Sequence, residues 1–245
     1  MRTPRFDIIH DGATVHVTWR CLEQRFLLGP RWAKQLYCQL LLRHKRRYGV
    51  RIHAYCILDN HVHLTVFMEK AVEFSRFLQY VHSTFVLQYN HKVGRSGCLI
   101  EDRPKTKLIQ DERQELTTLI YGDTNPTRTV LRLHPSRWEF SSYHYYAEGR
   151  TDPLVDESPC YTALGESPED RRAVYSEQVE GVVENIEEKR LQFEALSGPG
   201  HFLGDQAWVQ EHESHLRQSI EERRARRAGR RDFPPPWNAG TGEQR

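Results

Sequence analysis

The sequence predicts an α+β protein of the ferredoxin-like βαββαβ plan, with a four-stranded antiparallel sheet and two helices on one face. Three observations predict it. Short runs that alternate apolar and polar residues are separated by longer runs with apolar residues at helical spacing. Two strand-like runs, VRIHAYCIL and HVHLTVFM, are joined only by the turn formers Asp59 and Asn60. The elements follow in the order strand, helix, two strands, helix, strand. An extra helix follows the fourth strand, and a helical annex follows that.

Ala13–Arg20 sets Val15, Val17 and Trp19 against His16, Thr18 and Arg20, the pattern of a half-buried strand. Pro30 stands where a helix can begin. Trp32, Leu36, Leu40 and Leu41 then recur at helical spacing toward a basic run that Gly49 ends. The hairpin comes next. Phe74, Phe77, Leu78, Val81, Phe85 and Tyr89 mark a second long helix, closed near Gly94. GCLIEDRPKTKLI reads as the fourth strand, made irregular by Pro104. Asp111 is an N-cap candidate for the extra helix, which carries acidic residues in its first turn. That helix is expected to stop at Asn125, because Pro126 disfavours helical geometry in the residue before it.

Composition narrows the class. Of 245 residues, 38% are hydrophobic and 28% charged, which fits a globular chain. No apolar run reaches the ~18 residues of a membrane span, and the first residues lack the apolar core of a secretory signal. Five cysteines are scattered without a CxxC pair, so a cytoplasmic protein without a disulfide framework is expected. Residues 1–150 hold 23 Lys+Arg against 14 Asp+Glu, whereas 151–245 hold 12 against 19. A basic half of this kind is either what a polyanion attracts or a well-solvated surface. The expected organisation is a catalytic domain over 1–150, a helical annex over 151–222, and a disordered basic tail over 223–245.

The chemistry begins with His61 and His63. On a strand, alternate residues share a face, so the two imidazoles stand roughly 7 Å apart on one side of the sheet. Such a pair is either a solvated surface feature or a clamp for one divalent ion. Arg103, Lys105 and Lys107 alternate in the same way and can track a nucleic-acid backbone. Arg20 is a further candidate contact of this kind.

At this point the sequence resembles the single-tyrosine transposases whose metal motif is His-hydrophobic-His, and within them the REP-associated tyrosine transposases. AYCILDNHVHLTV resembles the metal-binding strand of that family. YGDTNPTRTVLRLHPSRWEFSSYHYY resembles its nucleophile helix and the stretch after it. QYNHKVGRSGCLIEDRPKTKLI resembles the approach to the fourth strand. The resemblance implies that His61 and His63 are metal ligands, that Tyr121 is the nucleophile, and that Asn125 is the third ligand. It implies Mg²⁺ or Mn²⁺ as cofactor and single-stranded or hairpin DNA as partner. Strand cleavage and rejoining through a 5′-phosphotyrosine is the implied activity. A homodimer is left open. The rivals are a catalytically silent DNA-binding protein of the same fold and a replication-initiator or relaxase-like nickase.

Overall fold

The computed structural model describes residues 3–190 and 193–231. Strands β1 (Ala13–Arg20), β2 (Val50–Ile57), β3 (His61–Met68) and β4 (Lys105–Ile109) alternate with helices α1 (Arg31–Lys45) and α2 (Ala71–Val93) in the expected order. Within one sheet the strands lie in the order β2-β3-β1-β4, all antiparallel to their neighbours. β1 and β3 are therefore central. Val15, Val17 and Trp19 of β1 and Val62, Leu64 and Val66 of β3 are buried on the face that α1 and α2 cover. Trp19 anchors that layer: its indole N–H donates to the Tyr37 hydroxyl at 2.8 Å, and its ring lies 6.1 Å from that of Phe85. Gly49 closes the chain after α1 at φ 59°, a left-handed position that favours glycine.

Helix α3 (Glu112–Asp123) lies on the opposite face of the sheet, where the polar set of β1 and β3 points. Asp111 caps it by accepting from the backbone N–H of Gln114. The expected stop at Asn125 comes slightly earlier. Thr124 leaves helical geometry at ψ 2°, and a single turn, α4 (Asn125–Arg128), restarts at once with Pro126 in its first turn. Proline fits there because its missing N–H has no partner to lose.

Three expectations are corrected. The sheet has five strands: β5 (Phe202–Leu203) adds to β4 in parallel, held by Leu108 N–H to His201 C=O at 2.8 Å and Gln110 N–H to Leu203 C=O at 2.9 Å. The fourth strand is shorter than the run 97–109, because it begins only after Pro104; Ile100 keeps an isolated bridge to Cys21. The tail expected to be disordered from residue 223 instead continues helix α9 (Gln206–Arg231), with Arg223 paired to Asp7. The remainder of that expectation, 232–245, lies outside the described residues.

The rest of the annex packs onto the sheet domain. α5 (Tyr143–Tyr146) precedes it, and its further helices are α6 (Pro159–Thr162), α7 (Pro168–Glu184) and α8 (Glu194–Ser197). Lys45, 2% exposed, donates to the Asp156 carboxylate at 2.7 Å and the Leu154 carbonyl at 2.9 Å. Asp123, at the end of α3, accepts from Tyr175 of α7 and from Ser142, both at 2.7 Å. Burial pushes that carboxyl up to about 7. No helix among the described residues is long and apolar enough to cross a membrane.

Candidate active site

Strand alternation carries His16, Thr18 and Arg20 of β1 and His61 and His63 of β3 to the face that α3 crosses. Register completes the grouping: Thr18 pairs with His63 and Arg20 with His61. The His61 and His63 rings lie 5.1 Å apart. Tyr121, near the end of α3, stands edge-on to His63 at 5.4 Å and to His16 at 5.8 Å. Asn125, four residues on, places its side-chain amide 2.9 Å from His63 Nε2. The four residues singled out in the sequence thus meet at one place.

Second partners fix the imidazoles. His61 Nδ1 lies 2.7 Å from the Asn60 side-chain oxygen, which places the proton on Nδ1 and the lone pair on Nε2. His63 Nδ1 lies 3.1 Å from Nε2 of His16. When His63 donates there, its Nε2 lone pair faces Asn125. Burial keeps all three rings neutral at pH 7. His61 falls to about 4, with Arg20 adding to the effect, and His16 falls to about 3, aided by Lys107 and Arg128. His63 falls well below its ordinary value for the same reason, its histidine neighbours contributing next.

Two neutral imidazoles and an amide oxygen form a donor set that fits a divalent ion with open positions, the amide being free to turn its oxygen inward. Among the described residues no group of three or more His, Cys, Asp or Glu is arranged to hold a metal. Asn125 is the amide beside the histidine pair.

Burial raises the Tyr121 hydroxyl above its ordinary value, while the charge of Arg128 and the amide of Asn125 act against this. Arg128 lies over the Tyr121 ring at 3.8 Å, and Phe193 of the annex packs against the same ring at 5.4 Å. A cavity of about 790 Å³ opens beside these groups. Arg20, Arg103, Lys105, Lys107 and Arg132 line it, together with the acidic Glu101, Asp102 and Glu187. All four candidate DNA contacts thus reach one cavity, with differing freedom. Arg103 lies before β4, its guanidinium donating to the Thr3 carbonyl at 2.5 Å, while Arg20 and Lys105 are exposed. Lys107 is 5% exposed, and its ammonium donates to the carbonyls of Ala195 and Gly198.

Sequence reasoning missed His16, Arg128 and Phe193. His16 shares the polar face of β1 with Arg20, but only the register sets it beside His63. Arg128 follows Tyr121 by seven residues, a helical repeat that the Thr124 break obscures. Phe193 comes from the annex, and no sequence signal ties it to the site.

With this geometry in view, residues 10–97 match the family model described as "Transposase IS200 like". A solved structure described as a REP-associated tyrosine transposase bound to a REP hairpin shares the fold, with a TM-score of 0.51 and 20% identity. The match covers 64% of this chain and 93% of that one. No curated protein sequence matches the chain. The match to the family model spans β1 to the end of α2; Tyr121 and Asn125 lie beyond it.

Proposed function

We propose that the protein is a cytoplasmic, divalent-metal-dependent transposase that cleaves single-stranded DNA at hairpin or palindromic ends and rejoins it. The observation that carries this reading is the convergence of Tyr121 with His61, His63 and Asn125 on one face of the sheet, beside a cavity lined by cations. The likeness to IS200-like transposases and to a hairpin-bound relative supports it.

His61, His63 and Asn125 would hold the metal, Mg²⁺ or Mn²⁺, which when bound supplies Lewis-acid polarisation of a non-bridging phosphate oxygen. Tyr121 is the nucleophile. Its oxygen forms a bond to phosphorus as the bond to the 3′-oxygen of the preceding nucleotide breaks. The products are a 5′-phosphotyrosine and a free 3′-OH, the proton lost by the tyrosine being matched, through solvent, by the one the departing 3′-oxygen takes up. Because one ester replaces another, a second 3′-OH can reverse the step and join strands without ATP. Packing by Phe193 and the guanidinium of Arg128 shields the tyrosine ring from water. Arg20 and Lys105 are placed to follow the phosphate backbone as it enters the cavity.

Incubation with a REP-type hairpin carrying a single-stranded flank, in Mn²⁺, should give a covalent protein–DNA adduct that maps to Tyr121. Tyr121→Phe removes only the nucleophilic oxygen, so hairpin binding should persist while the adduct disappears. An adduct that persists in this variant, or maps elsewhere, would overturn the reading.

A further inference from the structure

We propose that Arg128 is the anion-binding residue of the site, holding the phosphodiester that Tyr121 attacks; the assignment rests on the transposase reading and deepens it. The guanidinium carbon lies 3.8 Å from the Tyr121 ring and 4.8 Å from the Phe193 ring, so the cation is held between the nucleophile helix and the annex. Nη2 donates to the backbone carbonyl of Tyr121. Nη1 is buried and has no hydrogen-bond partner. Among the described residues no carboxylate pairs with this guanidinium; the ionisable groups within its field are Tyr121, Cys56 and the imidazoles of His16, His61 and His63.

A half-buried guanidinium with a buried, unsatisfied Nη1 and no counter-charge is costly, and cation–π contact offsets only part of that cost. A ligand with acceptor oxygens would satisfy it in the working complex. Its planar fork of donors matches phosphate oxygens, which accept two N–H bonds side by side. Arg128 also lines the cavity shared by Tyr121 and His61. A phosphodiester within reach of the tyrosine oxygen therefore lies in the field of this cation. Negative charge grows on the phosphoryl oxygens as the tyrosine–phosphorus bond forms and the phosphorus–O3′ bond breaks, so the contact strengthens in the transition state.

The bland alternative is a pin that ties α4 to the last turn of α3. The two roles separate in a binding experiment that needs no cleavage. Hairpin oligonucleotides are prepared with one uncharged methylphosphonate at a time along the single-stranded flank, and their affinity is measured in EDTA by fluorescence anisotropy. At one linkage the wild-type protein should lose about tenfold in affinity, the loss of one charge-assisted contact. Arg128→Gln should bind the native oligonucleotide equally weakly and show no further loss at that linkage, and Arg128→Lys should recover part of the discrimination. Arg128→Gln weakening all oligonucleotides equally would assign a structural pin, and undiminished discrimination in Arg128→Gln would place another group on the phosphate. Either result overturns the proposal. If Arg128→Gln fails to fold, Arg128→Lys decides: it keeps a charge but loses the fork, so unchanged discrimination and unchanged adduct rate at saturating DNA would also overturn it. A wild-type protein that shows the methylphosphonate effect yet forms no adduct in Mn²⁺ would defeat the transposase reading alone.

Discussion

His16 Nε2 lies 3.1 Å from His63 Nδ1, across the β1–β3 pairing and diagonal to it. The contact sets the orientation of the His63 ring and, when His63 donates, presents its other nitrogen to Asn125. His16→Ala should therefore raise the Mn²⁺ concentration needed for half-maximal adduct formation by about 10–100-fold, the usual cost of losing such a supporting partner. Hairpin affinity in EDTA should not change. A metal titration of the two proteins checks this, and coincident curves would remove His16 from any supporting role.

Metal removal should separate binding from chemistry. In EDTA the adduct should vanish while hairpin binding persists through Arg20 and Lys105, and Mn²⁺ or Mg²⁺ should restore it. Because a ligand of the folded state stabilises it, added metal should also raise the melting temperature of wild type, and less so that of His63→Ala. Undiminished adduct formation in EDTA would refute metal dependence.

Lys105 and Lys107 should behave differently although both belong to β4. Lys105→Ala should weaken hairpin binding and reduce the salt slope of log K by about 0.7–0.9, the change for one lost phosphate contact. Lys107→Ala leaves the Ala195 and Gly198 carbonyls without their ammonium donor. It should cost about 1–3 kcal/mol in a urea melt and leave the salt slope unchanged. Equal salt slopes for the two variants would contradict this division.

Acid should destabilise the metal-free protein. Burial holds His16, and His82 of α2 beside the Tyr37 hydroxyl, at about 3 and His61 at about 4, below the 6.5 of an unfolded chain. Between pH 6.5 and pH 4 the unfolded chain therefore binds more protons at these residues, so their contribution is fully present above pH 6.5 and is lost as pH falls. Asp123 acts in the opposite sense. Its carboxyl is raised from 3.8 to about 7, so its contribution is present below 3.8 and lost as pH rises through 7. The histidines outnumber it. Melting temperature in EDTA should fall steadily from pH 7 to pH 4.5, and Asp123→Asn should steepen that fall. A melting temperature that rises over this interval would contradict the neutral assignment of the buried rings.

The fold plan and the placing of the histidine pair on one face were legible because they are local. Alternation at Val15, Val17 and Trp19, the two-residue turn at Asp59–Asn60, the helical spacing from Phe74 to Tyr89 and the Asp111 cap each follow from dihedral preference and side-chain period. The same period set His61 and His63 on one face and Asn125 one turn beyond Tyr121.

What only tertiary structure decided depends on register and on chain brought from afar. Strand pairing, a contact between segments 47 residues apart, put His16 against His63. The turn at Thr124 carried Arg128 back over the Tyr121 ring, where an unbroken helix would set it two turns further on. β5 joined the sheet although Phe202–Leu203 is too short to announce a strand, because the open edge of β4 supplies the hydrogen bonds that a two-residue strand cannot make alone. Phe193, 72 residues beyond Tyr121 in the chain, reached the site because burying both rings together removes more apolar surface from water than either could alone. Local periodicity assigns the faces; which faces meet is settled by the packing of the whole chain.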